Sequence, residues 1–235
     1  MTDRYIIPCA GNGNRWTEQT GTPKQLVKLC GEPILYRTVR QLHERGATDI
    51  RIIVKDLTDP RFKIPGTRRA TAKLNPDNGP ADKFCSSRHL WNRNGRTTIL
   101  FGDVFFTDQA MDTIVDPDDG GDWRVYARFG PSNITGCRHP ELFGITLHPD
   151  HHTLADQAIA YCVDLHQRGL LKGWSGGWQV YAAMCADTDL KARDRGHSVT
   201  IDDWTEDMDW RVDWERWCWH YAKADPADRP SRYIP

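Results

Sequence analysis

The chain has no stretch approaching the roughly 18 consecutive apolar residues that a membrane helix needs. Its opening Met1-Thr2-Asp3-Arg4 leads into a strand pattern and not into a signal-peptide core. A soluble, cytoplasmic protein is the expectation. Nor is there an excess of either charge: 31 Lys and Arg stand against 32 Asp and Glu, a formal net charge of −1. That balance lacks the basic footprint of extended nucleic-acid binding, while leaving room for a small basic site. The seven cysteines (Cys9, Cys30, Cys85, Cys137, Cys162, Cys185 and Cys218) contain no Cys-x-x-Cys pair. They read as ordinary reduced thiols, not as a zinc or disulfide framework. Internal repeats and low-complexity tracts are also missing. With 235 residues, the chain suits one large α/β core. We expect residues 1–223 to form that domain and 224–235, which hold three prolines, to be a loosely held tail.

What is present is a strand-and-helix alternation. Arg4 to Pro8 is a short apolar run that opens into Cys9-Ala10-Gly11-Asn12-Gly13-Asn14-Arg15, a buried strand followed by a glycine loop. Pro33 stands at a plausible first helical position; Ile34, Leu35, Thr38, Val39 and Leu42 repeat at helical spacing until Gly46 supplies a stop. Ile50 to Val54 is a second strand. A short strand near Ala72 to Leu74, a helix through Phe84, Arg88 and Trp91, and a strand from Thr97 to Phe101 follow, with Thr107 as a helix cap. Val125 to Arg128 and Leu142 to Leu147 are further strands, and His152 to Gln167 is a helix. This order predicts a single-domain α/β fold: a three-layer α/β/α sandwich around a mostly parallel, Rossmann-like sheet. Most of the ten tryptophans fall in the last third, including Trp204, Trp210, Trp214, Trp217 and Trp219, which would pack a terminal helix onto the sheet.

The chemistry concentrates in three clusters. Gly11-x-Gly13-x-Arg15 with Pro23-Lys24-Gln25-Leu26 combines glycines after a strand, which let backbone N–H groups approach phosphates, with two cations. A glycine-rich turn with two solvated cations is the alternative on those residues alone. No Gly-Lys-Ser/Thr follows, so this is not a P-loop, and the third glycine of a dinucleotide fingerprint is missing. Leu100-Phe101-Gly102-Asp103-Val104 places an aspartate at the end of a strand, as a hard oxygen ligand or as a turn residue. Glu206-Asp207-Met208-Asp209-Trp210 is an acidic run just before a last helix, for which Asp213 supplies an N-terminal charge.

Together, Ile6 to Arg15, Thr22 to Leu26, Gly31-Glu32-Pro33-Ile34-Leu35 and Gly102-Asp103 resemble the GT-A-like nucleotidyltransferases that make sugar nucleotides, cytidylyltransferase-like members included. The resemblance implies an enzyme that transfers a nucleoside monophosphate from a nucleoside triphosphate to a phosphorylated sugar or polyol and releases pyrophosphate. It implies Mg²⁺ or Mn²⁺ on Asp103 and Asp209, with Asp207 the rival for the second place. Lys24, Arg15 and Asp103 would be catalytic. Pro8, Ala10, Gly11, Asn12, Gly13, Arg15, Lys24, Gly79, Ser86 and Gly102 would line the nucleotide, with the Ser86-Ser87 region leaning towards a pyrimidine. Ser86 and Ser87 also fit plain helix polar positions. Lys172, Trp174 and Gly177 would face the acceptor, or form a helix-to-helix turn. His148, His151 and His152 invite a zinc reading, but without companion ligands they suit a surface role better. The resemblance implies no membrane partner and allows a homodimer. The runner-up is a GT-A glycosyltransferase acting on a sugar nucleotide, for which Asp207-x-Asp209 and Asp187-x-Asp189 supply D-x-D patterns. A non-catalytic nucleotide-binding domain is the third reading.

Overall fold

The computed structural model describes residues 2–11, 16, 21–116, 121–171, 176–187, 189 and 191–232. The chain begins with β1 (Arg4–Pro8), the hairpin of β2 (Lys28–Leu29) and β3 (Glu32–Pro33), helix α1 (Ile34–Glu44), β4 (Asp49–Val54) and β5 (Thr67–Thr71). A four-residue helix α2 (Asp82–Cys85) precedes β6 (Thr97–Leu100), β7 (Val104–Phe105), α3 (Asp108–Val115), β8 (Arg124–Arg128) and β9 (Glu141–Leu147). Helices α4 (His152–Gln167) and α5 (Gly176–Met184), strands β10 (Ser198–Thr200) and β11 (Glu206–Asp207), and helix α6 (Arg211–Lys223) complete the order.

Seven strands form the central sheet in the spatial order β10-β8-β9-β6-β1-β4-β5. β1 pairs in parallel with β4 and β6, β4 with β5, and β8 with β10, while β9 runs antiparallel to both β6 and β8. The fold is thus the mostly parallel three-layer α/β/α domain expected, with α1 packed beside α3 and α4 beside α5. Ile6, Ile7, Ile52, Ile53, Ile99 and Leu100 are solvent-inaccessible, as continuous apolar strands covered on both faces must be. From β1 the chain moves outward through β4 and β5, then returns to the other side of β1 as β6. That reversal makes the carboxyl ends of β1 and β6 the place where an open α/β sheet receives its ligands. Within the described residues no helix is long and apolar enough to cross a membrane.

Several local expectations shift for physical reasons. The edge strand is β5, Thr67-Arg68-Arg69-Ala70-Thr71, a few residues before the expected position; its charged, half-exposed sequence suits an edge but hides it from an apolar-run criterion. In place of a helix through Trp91 there are only α2 and a turn at Arg88–Leu90. The Ser86 hydroxyl donates to the Lys83 carbonyl and Ser87 to that of Phe84, and the Trp91 indole donates to Ser87, which closes the segment locally. Gly177 lies inside α5, buried against Leu142 and Phe101, and not in a flexible loop. Near the C-terminal end of the described residues, the buried Arg37 guanidinium donates to the Ser231 carbonyl at 3.0 Å and, elsewhere, to the Phe106 carbonyl at 3.0 Å. A buried guanidinium needs acceptors around its whole fork, and the tail provides part of them.

The late tryptophans build a second core apart from the sheet's own. Trp217, 1% exposed, packs on Phe105 of β7 with ring centroids 4.7 Å apart, on Tyr221 at 5.3 Å and on Trp204 at 5.4 Å. Trp210 and Trp219 remain exposed. This cluster seats α6 against the β7/β11 ladder instead of the sheet. Trp217→Ala should therefore cost roughly 3–5 kcal/mol in urea unfolding, the range for deleting a large buried aromatic.

Candidate active site

The site is assembled by backbone pairing between segments a hundred residues apart. β11 pairs antiparallel with β7, Asp207 opposite Val104, and the Met208 N–H donates to the Asp103 carbonyl at 3.1 Å. The ladder sets Asp207 and Asp209 beside Asp103, which follows Gly102 at the end of β6. Gly102 is dictated by the approach of the neighbouring strand end: a Cβ there would lie 2.7 Å from Cys9 Sγ and 2.8 Å from the Pro8 carbonyl. From the other side, the single 3₁₀ turn Lys24–Leu26 follows Pro23 and presents Lys24.

The Lys24 ammonium makes a close ion pair with Asp103 and donates to Asp209 Oδ1 at 2.9 Å. Asp103, Asp207 and Asp209 each present an oxygen within 4.8 Å of the other two, and among the described residues no other group of three His, Cys, Asp or Glu side chains converges in this way. Burial by itself would discharge Lys24; the carboxylates of Asp103, Asp207 and Asp209 outweigh it and hold the ammonium well above its ordinary pKa. Burial, joined by repulsion from Asp103 and Asp209, pushes the Asp207 carboxyl far above the usual carboxylate range. Its Oδ1 is shielded from solvent and has no hydrogen-bond partner. A buried orphan oxygen on one member of a convergent trio of carboxylates, with hard oxygen donors throughout, fits Mg²⁺ or Mn²⁺.

A second acidic layer lies behind. Glu141, at the start of β9, is pushed up to about 7 by burial first and by Asp209 next. Glu206, 2% exposed, accepts from Arg128 Nη2 at 2.7 Å and from the Ser132 hydroxyl, and this anchors β11 to the loop after β8. Asp213 accepts from the Trp210 N–H at 2.8 Å, the N-terminal helix role read from the sequence.

The structure brings Lys24, Gly102, Asp103 and Asp209 together with Pro8, Ala10 and Gly11 at the ends of β1 and β6. Asn12, Gly13, Arg15, Lys172 and Trp174 lie outside the described residues. Gly79, at φ +54°, faces the His166 ring, and buried Ser86 spends its hydroxyl on Lys83. His151 faces Asp122 at 3.4 Å and His152 packs on Trp91, and neither joins a convergent set of ligands. Asp207, Glu141 and Glu206 complete the site beyond the residues singled out as first choices. Asp207 stood only as a rival, because the spacing within an acidic run does not say which member faces inward.

Burial and like charge give the Glu141 carboxyl a higher proton affinity in the folded chain than in the unfolded one. The folded state therefore holds the extra proton between about pH 4.5 and 7, and stability falls as pH rises through that window. Glu141→Gln should remove this loss: its Tm should exceed that of the parent by a gap that opens between pH 5 and 7.5, as read by calorimetry without added metal.

No family model matches the chain. A bifunctional IPC transferase and DIPP synthase from Aquifex aeolicus is 34% identical over 64 residues, which is 27% of this chain and only 15% of the length of that relative. A UTP-bound UGPase from Acinetobacter baumannii superposes with a TM-score of 0.63 over 97% of this chain and 96% of its own, at 13% identity. A chain classed as a glucose-1-phosphate thymidylyltransferase from Bacillus anthracis gives 0.62 over 95% and 97%, at 18% identity. The two superpositions span nearly the whole chain and show its fold: the mostly parallel α/β domain that those two solved structures share.

Proposed function

We propose that this chain is a divalent-cation-dependent nucleotidyltransferase that moves a nucleoside monophosphate from a nucleoside triphosphate to a phosphorylated sugar or polyol and releases pyrophosphate. The observation that carries the reading is the meeting of Lys24 with Asp103 and Asp209 at the carboxyl ends of β1 and β6. The solved relatives, one holding UTP and one classed as a thymidylyltransferase, support a pyrimidine triphosphate as first choice.

In this reading Asp103, Asp209 and Asp207 would hold Mg²⁺, or Mn²⁺ in its place. When bound, the ion would neutralise negative charge on the reacting phosphates. By its sequence motif the glycine loop that begins at Gly11 would cradle the triphosphate together with Arg15, and Lys24 would face the negative charge that develops as pyrophosphate departs. An acceptor phosphate oxygen forms the new bond to the α-phosphorus while the bond from that phosphorus to the bridging oxygen of pyrophosphate breaks. The attacking oxygen is already ionised at neutral pH, so no side chain has to remove a proton. The work left to the chain is positioning and charge compensation.

Pyrophosphate release, measured with Mg²⁺, each of CTP, UTP, dTTP, GTP and ATP, and a pool of sugar and polyol phosphates, should depend on the acceptor. Lys24→Ala and Asp103→Ala should each lower it by about 10²-fold or more while keeping a native circular-dichroism spectrum. Activity near the parent level in either variant contradicts the assignment. Silence with every acceptor, together with transfer from a sugar nucleotide, points to the glycosyltransferase instead.

A further inference from the structure

The Lys24 ammonium lies on oxygens that a metal would need. Its Nζ contacts Asp103 Oδ2 and Asp209 Oδ1, and both residues belong to the trio whose oxygens converge within 4.8 Å. An ammonium and a divalent cation cannot share these oxygens at contact distance, because the two positive charges would repel across a poorly hydrated gap. Lys24 also borders a cavity of about 210 Å³ beside the ends of β1 and β4, lined by Cys9, Gly11, Gln25, Val54 and Lys55 and also by Asp56 and Asp59. The turn that carries Lys24 is held by its backbone, Leu26 N–H to the Pro23 carbonyl at 2.9 Å and Val27 N–H to the Lys24 carbonyl at 3.2 Å. The four-carbon stem can therefore swing without unmaking the turn.

We propose that Lys24 is an exchangeable counter-ion with two stations, the Asp103–Asp209 carboxylates and the cavity beside Gly11, and that it must leave the first before those carboxylates can ligate a divalent cation. The inference rests on the nucleotidyltransferase reading for the identity of the second station, but its core, competition between Lys24 and the metal, does not. The device keeps the carboxylates neutralised by a side chain until a triphosphate draws the ammonium away. Loading of the nucleotide and of the metal are thereby coupled through one residue.

The test is Mn²⁺ affinity without nucleotide, read by electron paramagnetic resonance and calorimetry. Lys24→Met and Lys24→Gln, both uncharged, should bind Mn²⁺ about tenfold or more tightly than the parent, because a competing charge has gone from contact distance. Lys24→Arg, which keeps the charge, should stay near the parent. Having both neutral variants guards against one of them failing to fold. Equal or weaker Mn²⁺ binding in the neutral variants overturns the exchange, and so does tightening in Lys24→Arg as well, which would trace the effect to side-chain shape. Because the readout needs no turnover, acceptor-dependent pyrophosphate release alongside unchanged Mn²⁺ affinity removes the exchange alone. Tighter Mn²⁺ binding without any transfer removes the enzyme reading alone.

Discussion

Three carboxylates within reach of one another repel, and in this molecule two contributions hold them together. One is the β7/β11 ladder, which fixes the backbone of Asp207 opposite Val104 and ties Met208 to Asp103. The other is the Lys24 ammonium, whose attraction to all three outweighs its own burial. Much of the remaining architecture serves one or the other. Gly102 lets the end of β6 come against Pro8 and Cys9. Trp217 seats α6 behind β7, and the buried Arg128–Glu206 pair fastens β11 to the end of β8. A buried ion pair of this kind adds little net stability, but removing one partner strands a charge, which makes it a strong constraint on where β11 lies.

The same arrangement explains the titration pattern. Asp207 and Glu141 both have raised proton affinity, in each case with burial as the first cause and neighbouring carboxylates next. Cys9 lies in the same region, and burial followed by Asp103 raises its thiol so far that it is an inert packing group. On the proposed function, this concentration of negative charge would receive a cation, and the lysine at the sheet's ligand edge would face phosphates.

The sheet was legible in the sequence where its strands are continuous apolar runs. β1, β4, β6, β8 and β9 stand out in this way because both their faces are buried. β5, with its two arginines, and the two-residue strands β7 and β11 are too polar or too short to show a period. Gly102-Asp103 was legible as a candidate site because a glycine and a carboxylate end a buried strand. The choice between Asp207 and Asp209 was not, since it depends on the ladder register, which brings an oxygen of each within 4.8 Å of one from Asp103. The region from Gly79 to Trp91 misled a helical reading because serine hydroxyls there bond to the carbonyls of the preceding turn. The late tryptophans signalled a core correctly, but composition could not say that they would build a second one against β7.

The most direct measurement is a crystal structure with Mn²⁺ and a non-hydrolysable pyrimidine triphosphate, located by anomalous diffraction. The account predicts one manganese peak bonded to oxygens of Asp103 and Asp209 and to the α-phosphate, with the triphosphate lying along the turn after β1. Manganese bound away from these carboxylates, or a triphosphate seated elsewhere on the domain, would contradict it.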